Sequence, residues 1–410
     1  MNINHFCMKC MEGTLNESGV CTSCGAKDSD NGNMHLPVRS ILNGKYLVGN
    51  VIGEGGFGIT YIGFDLALEI RVAIKEFCPK GLVGREAEDG MTLYPYNEDA
   101  EEAFEKEKNK VINEARRLAK FRNEKGVVSV RDFFVENGTA YIVMDYIEGM
   151  TLKKYLKTLK NSGDGCMSME EVLKLFRPLM ETLTKIHREN IIHRDISPDN
   201  IMISKDLKTV HLIDFGTARD TLDGHTMSIY SKSFYTPIEQ DSEKMKQGPW
   251  TDVYALCATI YICITGRRMP LAGDRRREDD LVAPREYGVE ISATMETTLL
   301  KGLAVYPENR IQSVEELMKA FYEESHADYE EASNPQPESQ GEKTSEESKE
   351  EKEQKTESSP KAPVDPQKVA MERMKVKAQL RTIRNKQNII SCGYLVLGVL
   401  LWIFIGVYYR

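Results

Sequence analysis

The sequence predicts an α+β chain in which a β-rich segment is followed by a mainly helical one. Apolar and β-branched residues alternate from residue 46 to about residue 75, and strand-like runs recur at 127–135 and 140–146. From residue 151 onward the apolar residues recur at helical spacing. A short cysteine-rich module precedes these two segments, and a long apolar run follows them.

The bulk composition limits the classes of function. The 410 residues leave room for two or three domains, and the net charge of −9 argues against nucleic acid as a partner. The nine cysteines include two closely spaced pairs near the N-terminus, which favours a reducing compartment and metal binding over a disulfide framework. The first residues lack a basic segment followed by an apolar one, so we expect no secretory signal peptide.

Residues 1–30 contain two Cys-x-x-Cys pairs, Cys7 with Cys10 and Cys21 with Cys24. Each pair turns the chain tightly, so the four sulfurs can form a tetrahedral ligand set for Zn²⁺. The segment resembles a small zinc ribbon with a structural metal, because four thiolates leave no open position for a substrate. A redox dithiol pair and a metal-free remnant stay open as alternatives.

A glycine-rich loop between two predicted strands follows a polar linker at 31–44. Strand-like residues at 46–52 and 59–64 flank the loop, so it joins a hairpin rather than opening a helix. The backbone of such a hairpin can lie over phosphate groups. A third strand ends at Lys75 in a Val-Ala-Ile-Lys sequence. The loop consists of Gly53, Glu54, Gly55, Gly56, Phe57 and Gly58.

Three motifs, in the expected order, resemble those of the eukaryotic-type Ser/Thr protein kinases found in bacteria. They are the glycine-rich loop with Lys75, the run 193–200 (His-Arg-Asp-Ile-Ser-Pro-Asp-Asn) and the run 214–216 (Asp-Phe-Gly). The resemblance implies a bilobal protein kinase fold, with a β-rich N-lobe at 45–147 and a helical C-lobe at 148–322.

The resemblance also implies the chemistry of the site. The cofactors would be ATP and Mg²⁺ or Mn²⁺, and Asp195 would act as the base that accepts the proton of a substrate hydroxyl. Asn200 and Asp214 would hold the metal, and Lys75 would orient the α- and β-phosphates. Catalysis of this kind depends mainly on positioning and charge neutralisation.

A kinase lysine needs a carboxylate partner from a neighbouring helix. The run 99–121 has an apolar stripe at helical spacing, and Glu114 beside this stripe is the predicted partner of Lys75, with Glu107 as the alternative. Residues 78–100 make the connection longer than a minimal kinase needs, and the sequence does not indicate what this insertion does.

The resemblance places the adenine pocket after the strand at 140–146. Met144 would border the adenine ring, a position that also suits ordinary core packing. Backbone groups between Asp145 and Ile147 would bind the edge of the adenine.

Two positions near the reacting groups depart from the family pattern. Ser197 stands two residues after Asp195, where these kinases usually carry a lysine. Lys232 stands where a threonine is usual, and we hypothesise that its ammonium group replaces the missing charge. Arg194 further implies a switch, because a phosphate on the loop 217–235 could pair with its guanidinium.

The C-terminal part of the kinase-like region carries the residues of a peptide-docking platform. The resemblance pairs Glu239 with Arg310 as a buried clamp and uses Asp252 to brace the catalytic loop. These features disfavour a small-molecule phosphotransferase, although such an enzyme would share the catalytic residues Asp195, Asn200 and Asp214.

The last part of the chain predicts a membrane anchor. An acidic, polar stretch at 323–367 has too few large apolar residues to form a core, and a basic segment follows at 368–388. The apolar run 389–409 is long enough to span a bilayer as one helix. The basic flank should stay cytoplasmic and attract anionic lipids, which leaves the kinase region and N-terminus in the cytoplasm and no extracellular sensor.

The sequence therefore predicts a single-pass membrane protein kinase that acts on Ser/Thr hydroxyls of proteins, including its own. Its partners would be protein substrates, membrane lipid, a protein bound to the zinc ribbon and a second copy in autophosphorylation, but no nucleic acid. The alternative is a pseudokinase scaffold that recruits partners through the ribbon.

Overall fold

The computed structural model describes residues 3–162, 165–214, 233–241 and 245–322. These residues form a β-rich lobe followed by a mainly helical lobe, as the resemblance implies. The N-terminal cysteine module belongs to the same compact unit as these two lobes.

The N-lobe is built on a six-stranded antiparallel sheet with the order β1-β2-β3-β4-β8-β7. The helix α1 packs against β7 and β8, and its capping residue Asn97 accepts a hydrogen bond from the N–H of Ala100 at 2.8 Å. The elements are β1 Ile41–Leu42, β2 Tyr46–Glu54, β3 Gly58–Asp65, β4 Ile70–Phe77, β5 Val83–Arg85, β6 Leu93–Pro95, α1 Glu98–Leu118, β7 Val130–Glu136 and β8 Thr139–Asp145.

The C-lobe surrounds the helix α4, which is apolar on all sides and is buried by its neighbours. A three-stranded sheet, β11-β10-β9, lies at the start of this lobe. Residues 314–322 are also helical. The other elements are β9 Gly149–Thr151, α2 Leu152–Ser162, α3 Met169–Arg188, β10 Ile201–Ser204, β11 Val210–Leu212, α4 Pro249–Thr265, α5 Ala272–Arg275 and α6 Ala293–Gly302.

The insertion at 78–100 contains the hairpin β5–β6, and Arg85 of β5 forms a buried ion pair with Glu76 of β4. Arg85 Nη2 donates to Glu76 Oε2 at 2.6 Å, and both side chains are fully buried. Two tyrosines donate to the same carboxylate, Tyr61 at 2.9 Å and Tyr141 at 3.1 Å. Arg85 also donates through Nε to the carbonyl of Met34 at 3.1 Å. The insertion therefore ties the linker to the strand that carries Lys75.

The cysteine module packs on the outer face of the N-lobe sheet. Phe6 meets Phe64 edge-on, with their ring centroids 5.2 Å apart, in a small apolar cluster of their own. Glu12 forms an ion pair with Arg71 at 3.0 Å. The buried members of this cluster are Phe6, Met8, Met11, Leu47, Ile62 and Phe64.

The predicted helices and strands of the kinase-like region are confirmed with small shifts of their ends. No helix within the described residues is both long enough and apolar enough to cross a membrane. The predicted span 389–409, the acidic stretch 323–367 and the basic segment 368–388 all lie outside the described residues.

The buried pair makes a testable prediction about stability. Arg85→Met removes one partner and leaves the Glu76 carboxylate buried without its counter-charge, so we expect the free energy of unfolding to fall by about 3 kcal/mol or more. Lys185→Met is the matched control, because Lys185 pairs with Glu124 at 2.6 Å on the surface and should cost less than about 1 kcal/mol. Urea unfolding followed by tryptophan fluorescence measures both, and equal losses would contradict the role of Arg85.

Candidate active site

The glycine-rich loop is the turn of the β2–β3 hairpin. Gly55 N–H donates to Gly58 O at 2.9 Å, which closes the turn. Gly58 must be glycine, because a Cβ atom there would lie 2.3 Å from the carbonyl oxygen of Glu76. A Cβ atom at Gly55 or Gly56 would meet no neighbouring atom, so packing does not require glycine at these two positions. The strand–loop–strand arrangement predicted from the sequence is confirmed.

Lys75 and Asp214 come together although 139 residues separate them. The Lys75 ammonium forms an ion pair with Asp214 Oδ1. Lys75 extends from β4 of the N-lobe, and Asp214 follows β11 of the C-lobe. This ion pair therefore joins the two lobes across the cleft between them.

The helix α1 carries both candidate partners of Lys75. Glu114 is half-buried on this helix, and its pairing with Lys75 stays a prediction, because the ion pair that Lys75 forms in the described region goes to Asp214. Glu107 is buried and pairs with Lys110 on the same helix at 2.6 Å. The alternative partner is therefore already engaged within the helix.

Asp252 of α4 anchors the backbone of the catalytic loop, the run 193–200. Its carboxylate accepts the backbone N–H groups of His193 and Arg194, each at 2.8 Å. His187 donates to the same carboxylate, also at 2.8 Å. Burial opposes ionisation, but His187 and the backbone donors lower the pKa of Asp252 below its usual value. A fully buried anion therefore fixes the backbone next to Asp195.

Three groups of the loop are linked to one another. Asn200 Nδ2 donates to Asp195 O at 2.8 Å, so the amide oxygen of Asn200 is the atom that this side chain can present to a metal. Asp195 N–H donates to His193 Nδ1 at 3.2 Å, and burial lowers the pKa of His193. Ile213 N–H donates to Asn200 O at 2.8 Å, which connects the loop to the residue before Asp214.

Two residues of the site have positive backbone φ angles. Arg194 has φ of 67° and Asp214 has φ of 62°, values that residues with a side chain adopt rarely. Such conformations persist only where surrounding contacts enforce them, and they concentrate at functional sites. The carbonyl of Arg194 is held by Gln240 Nε2 at 2.8 Å.

The predicted hinge follows β8. Asp145 N–H donates to Ser129 O at 3.0 Å, and the Asp145 carboxylate pairs with Arg131. The backbone N–H of Asp145 is therefore already engaged, while the backbone groups of Ile147 come after the strand ends. The assignment of Asp145, Ile147 and Met144 to the adenine pocket stays a prediction.

The predicted buried pairing of Glu239 with Arg310 is confirmed. The guanidinium donates to the carboxylate at 2.6 and 3.3 Å, and both side chains are fully buried. Thr251 Oγ1 adds a hydrogen bond to Glu239 at 3.1 Å. Arg310 also donates to the carbonyls of Val305 and Trp250, at 2.9 and 3.0 Å. The pair therefore ties the segment before α4 to the end of the C-lobe.

The two departures from the family pattern have different outcomes. Ser197 is fully buried, and its hydroxyl has no hydrogen-bond partner among the described residues. Lys232 lies outside the described residues, as does most of the loop 217–235. The hypothesis that Lys232 supplies the missing charge therefore rests on the sequence.

The four N-terminal cysteines form one cluster. Their Sγ atoms all lie within 4.8 Å of one another, with Cys7 to Cys24 at 3.8 Å and Cys10 to Cys21 at 3.7 Å. Four sulfurs about 2.3 Å from a tetrahedral Zn²⁺ would be about 3.8 Å apart, so the residues fit this metal. Burial opposes ionisation, but backbone N–H groups lower the pKa of Cys21 to about 6.

Comparison with known proteins decides the family. The model of the protein kinase domain family matches residues 96–323, which is more than half of the chain. The chain belongs to the protein kinase family. The solved structure of PpkA-294 in its apo form agrees, with 34% sequence identity and a TM-score of 0.60 over 70% of this chain and 99% of that one.

The curated relatives of this kinase domain include bacterial Ser/Thr kinases. PrkC of Bacillus subtilis is 27% identical over 289 residues, which cover 67% of this chain and 40% of PrkC. PknB of Mycobacterium tuberculosis is 28% identical over 301 residues, which cover 69% of this chain and 43% of PknB. The chain thus spans about two fifths of the length of these relatives, and the protein kinase domain predicted from the motifs is confirmed.

The kinase domain of Mycobacterium tuberculosis PknI shows the fold alone, at 18% identity and a TM-score of 0.52.

Sequence reasoning missed the buried network around Glu76, which adjoins Lys75. The available signal was a second charged residue, Glu76, directly after Lys75 and before apolar Phe77 in this strand.

Proposed function

We propose that this chain is an active protein kinase that transfers the γ-phosphate of ATP to Ser/Thr hydroxyls of proteins. The observation that supports this most is the catalytic loop, in which Asp195 and Asn200 are linked by a 2.8 Å hydrogen bond on a backbone anchored by Asp252. Asp214 lies with Lys75 at the same cleft. A pseudokinase scaffold would not need this machinery to be intact.

Each residue has a role in the proposed reaction. Mg²⁺-ATP, when bound, supplies the phosphoryl group and the charge neutralisation that this chemistry needs. Asp195 orients the acceptor hydroxyl and takes its proton. Asn200 and Asp214 provide amide and carboxylate oxygens, the ligands that Mg²⁺ prefers. The Lys75 ammonium would exchange part of its contact with Asp214 for the phosphates.

The first test is transfer of labelled phosphate. Asp195→Asn keeps the shape of the side chain but removes the base, so we expect transfer to fall by about a hundredfold or more. The matched control is Asp206→Asn, in an exposed turn where Asp206 accepts hydrogen bonds from Ser204 and Lys208, and it should leave transfer unchanged. Mapping the labelled sites identifies Ser or Thr as acceptor. Equal transfer by wild type and Asp195→Asn would contradict the proposal.

Lys232 is proposed to replace the ammonium group that Ser197 lacks. The fully buried, uncharged Ser197 supports this proposal, because the transferring phosphate would otherwise have one positive charge fewer. Lys232→Ala should lower kcat about tenfold or more. Lys208→Ala, in an exposed turn, is the control. A kcat within twofold of wild type would refute this role for Lys232, and a Ser197→Lys/Lys232→Ala double variant that regains activity would support it.

The cysteine cluster is proposed to hold one structural Zn²⁺. The sulfur–sulfur distances of the cluster support this, and the metal would fix the turn that carries Met8 and Met11. We expect one zinc per purified chain by a metallochromic assay. A Cys7→Ser/Cys10→Ser variant should lose it, whereas Cys166→Ser should keep it. A wild-type chain without zinc, or with an oxidised Cys pair, would contradict this assignment.

The C-terminal run 389–409 is proposed to anchor the kinase in the cell membrane, with the kinase domain and N-terminus in the cytoplasm. Its length and the basic segment 368–388 support this. Removing residues 389–409 should move the protein from the membrane pellet to the supernatant after high-salt washing. Retention in the pellet would refute the anchor. A shared membrane would also raise the effective concentration of copies for autophosphorylation.

A further inference from the structure

The strand β2 is irregular immediately before the glycine-rich loop. Its register with β3 shifts between Val48 and Val51, and again between Val51 and Gly53. Such bulges leave backbone groups without a partner in the ladder. The groups at Gly49, Asn50 and Val51 are instead bonded by residues from the ribbon and the linker, so the irregularity is a built contact site.

Asn31 from the linker takes the place of a strand at this bulge. Its Oδ1 accepts the N–H of Val51 at 3.2 Å, and its Nδ2 donates to the carbonyl of Gly49 at 3.0 Å. The carboxamide thus pairs with the backbone as a peptide group of a neighbouring strand would. Nδ2 also donates to Leu36 O at 2.9 Å, and Oδ1 accepts from Asn50 Nδ2 at 3.3 Å.

The ribbon contacts the same bulge from the other side. Asn50 N–H donates to the carbonyl of Met8 at 2.8 Å. A Cβ atom on Gly49 would lie 2.4 Å from this carbonyl oxygen and 2.4 Å from Met11 Cε, so only glycine permits the approach. The turn that holds Cys7 and Cys10 therefore packs directly on β2.

A second linker residue reaches the loop itself. His35 Nε2 lies 3.2 Å from Glu54 Oε2, and Lys80 Nζ lies 2.9 Å from Glu54 Oε1. Lys80 and His35 lower the pKa of Glu54, which keeps its carboxylate ionised between them. Lys80 N–H also donates to Gly56 O at 2.9 Å. The linker and the insertion thus hold the last residue of β2 from opposite sides.

We propose that the ribbon and linker form a positioning brace for the glycine-rich loop, with Asn31 as its principal positioning residue and His35 as the second. This rests on the proposed function, because it gives the loop its role over the ATP phosphates. The brace orders β2 before nucleotide arrives, so less ordering has to accompany binding. Its effect is therefore on nucleotide affinity and on the order of the loop, not on the transfer step.

The experiment compares Asn31→Ala and Asn31→Asp with wild type in the full chain. Asp has the shape of Asn but cannot donate to Gly49 O or Leu36 O, so both variants should raise the Kd of Mg-ATP about five- to tenfold. The rate of transfer at saturating ATP should stay within about twofold. Asn16→Ala is the matched control, because Asn16 Oδ1 accepts from Ser18 N–H and Val20 N–H, and these side-chain hydrogen bonds lie within the ribbon rather than at β2.

Hydrogen exchange of the protein without nucleotide gives an independent readout. Amides of residues 50–59 should exchange about tenfold faster in both variants, while those of α3 and α4 should not change. Gly49→Ala forces Met8 away and should reproduce the effect. Exchange in 50–59 within twofold of wild type would overturn the brace. So would a uniform rise that includes α3 and α4, which would indicate general destabilisation.

The outcomes separate the brace from the enzyme. A chain that binds Mg-ATP but transfers no phosphate contradicts the proposed function, and the Kd and exchange comparisons still decide the brace. A chain that transfers phosphate with unchanged Kd and exchange in the Asn31 variants contradicts the brace alone. A wild-type chain that does not bind Mg-ATP would overturn both.

Discussion

The buried carboxylate of Asp252 is the interaction on which the catalytic loop depends. One anion receives His187 from α3 and two successive backbone N–H groups from the loop. Those bonds require the loop to turn sharply, and Arg194 adopts a positive φ there. Because the carboxylate is fully buried, each hydrogen bond that it accepts offsets part of its desolvation cost. Losing any of the three donors would leave part of that cost without compensation.

Most of the site could be predicted because its chemistry fixes residue types at short spacing. Asp195 and Asn200 lie five residues apart, and the structure links them by a hydrogen bond. The pair of Glu239 and Arg310 was also predictable, since a motif carries each member. Secondary structure followed from periodicity, and the helix expected at 99–121 begins at Glu98 and ends at Leu118.

The contacts of the linker and the insertion could not be predicted in the same way. Asn31 and Arg85 lie in polar stretches whose composition is typical of solvated loops. Their polar groups instead bond to backbone and to a buried acid, which only the three-dimensional packing reveals. The predicted pairing of Lys75 with Glu114 shows the same limit. Helical periodicity predicts on which face of α1 Glu114 lies, but not its distance from Lys75.

The contacts of Tyr61 and Arg85 bear on where the autonomous folding unit begins. The hydroxyl of Tyr61 accepts the N–H of Leu36 at 3.0 Å, and Arg85 Nε donates to Met34 O. A protein that starts at residue 45 would keep the buried side chains of Tyr61 and Arg85. It would lose their backbone partners, the N–H of Leu36 and the carbonyl of Met34. The match to the family model starts at residue 96, after the glycine-rich loop and Lys75. The segment that satisfies its own buried polar groups starts earlier, within what the composition presents as a linker.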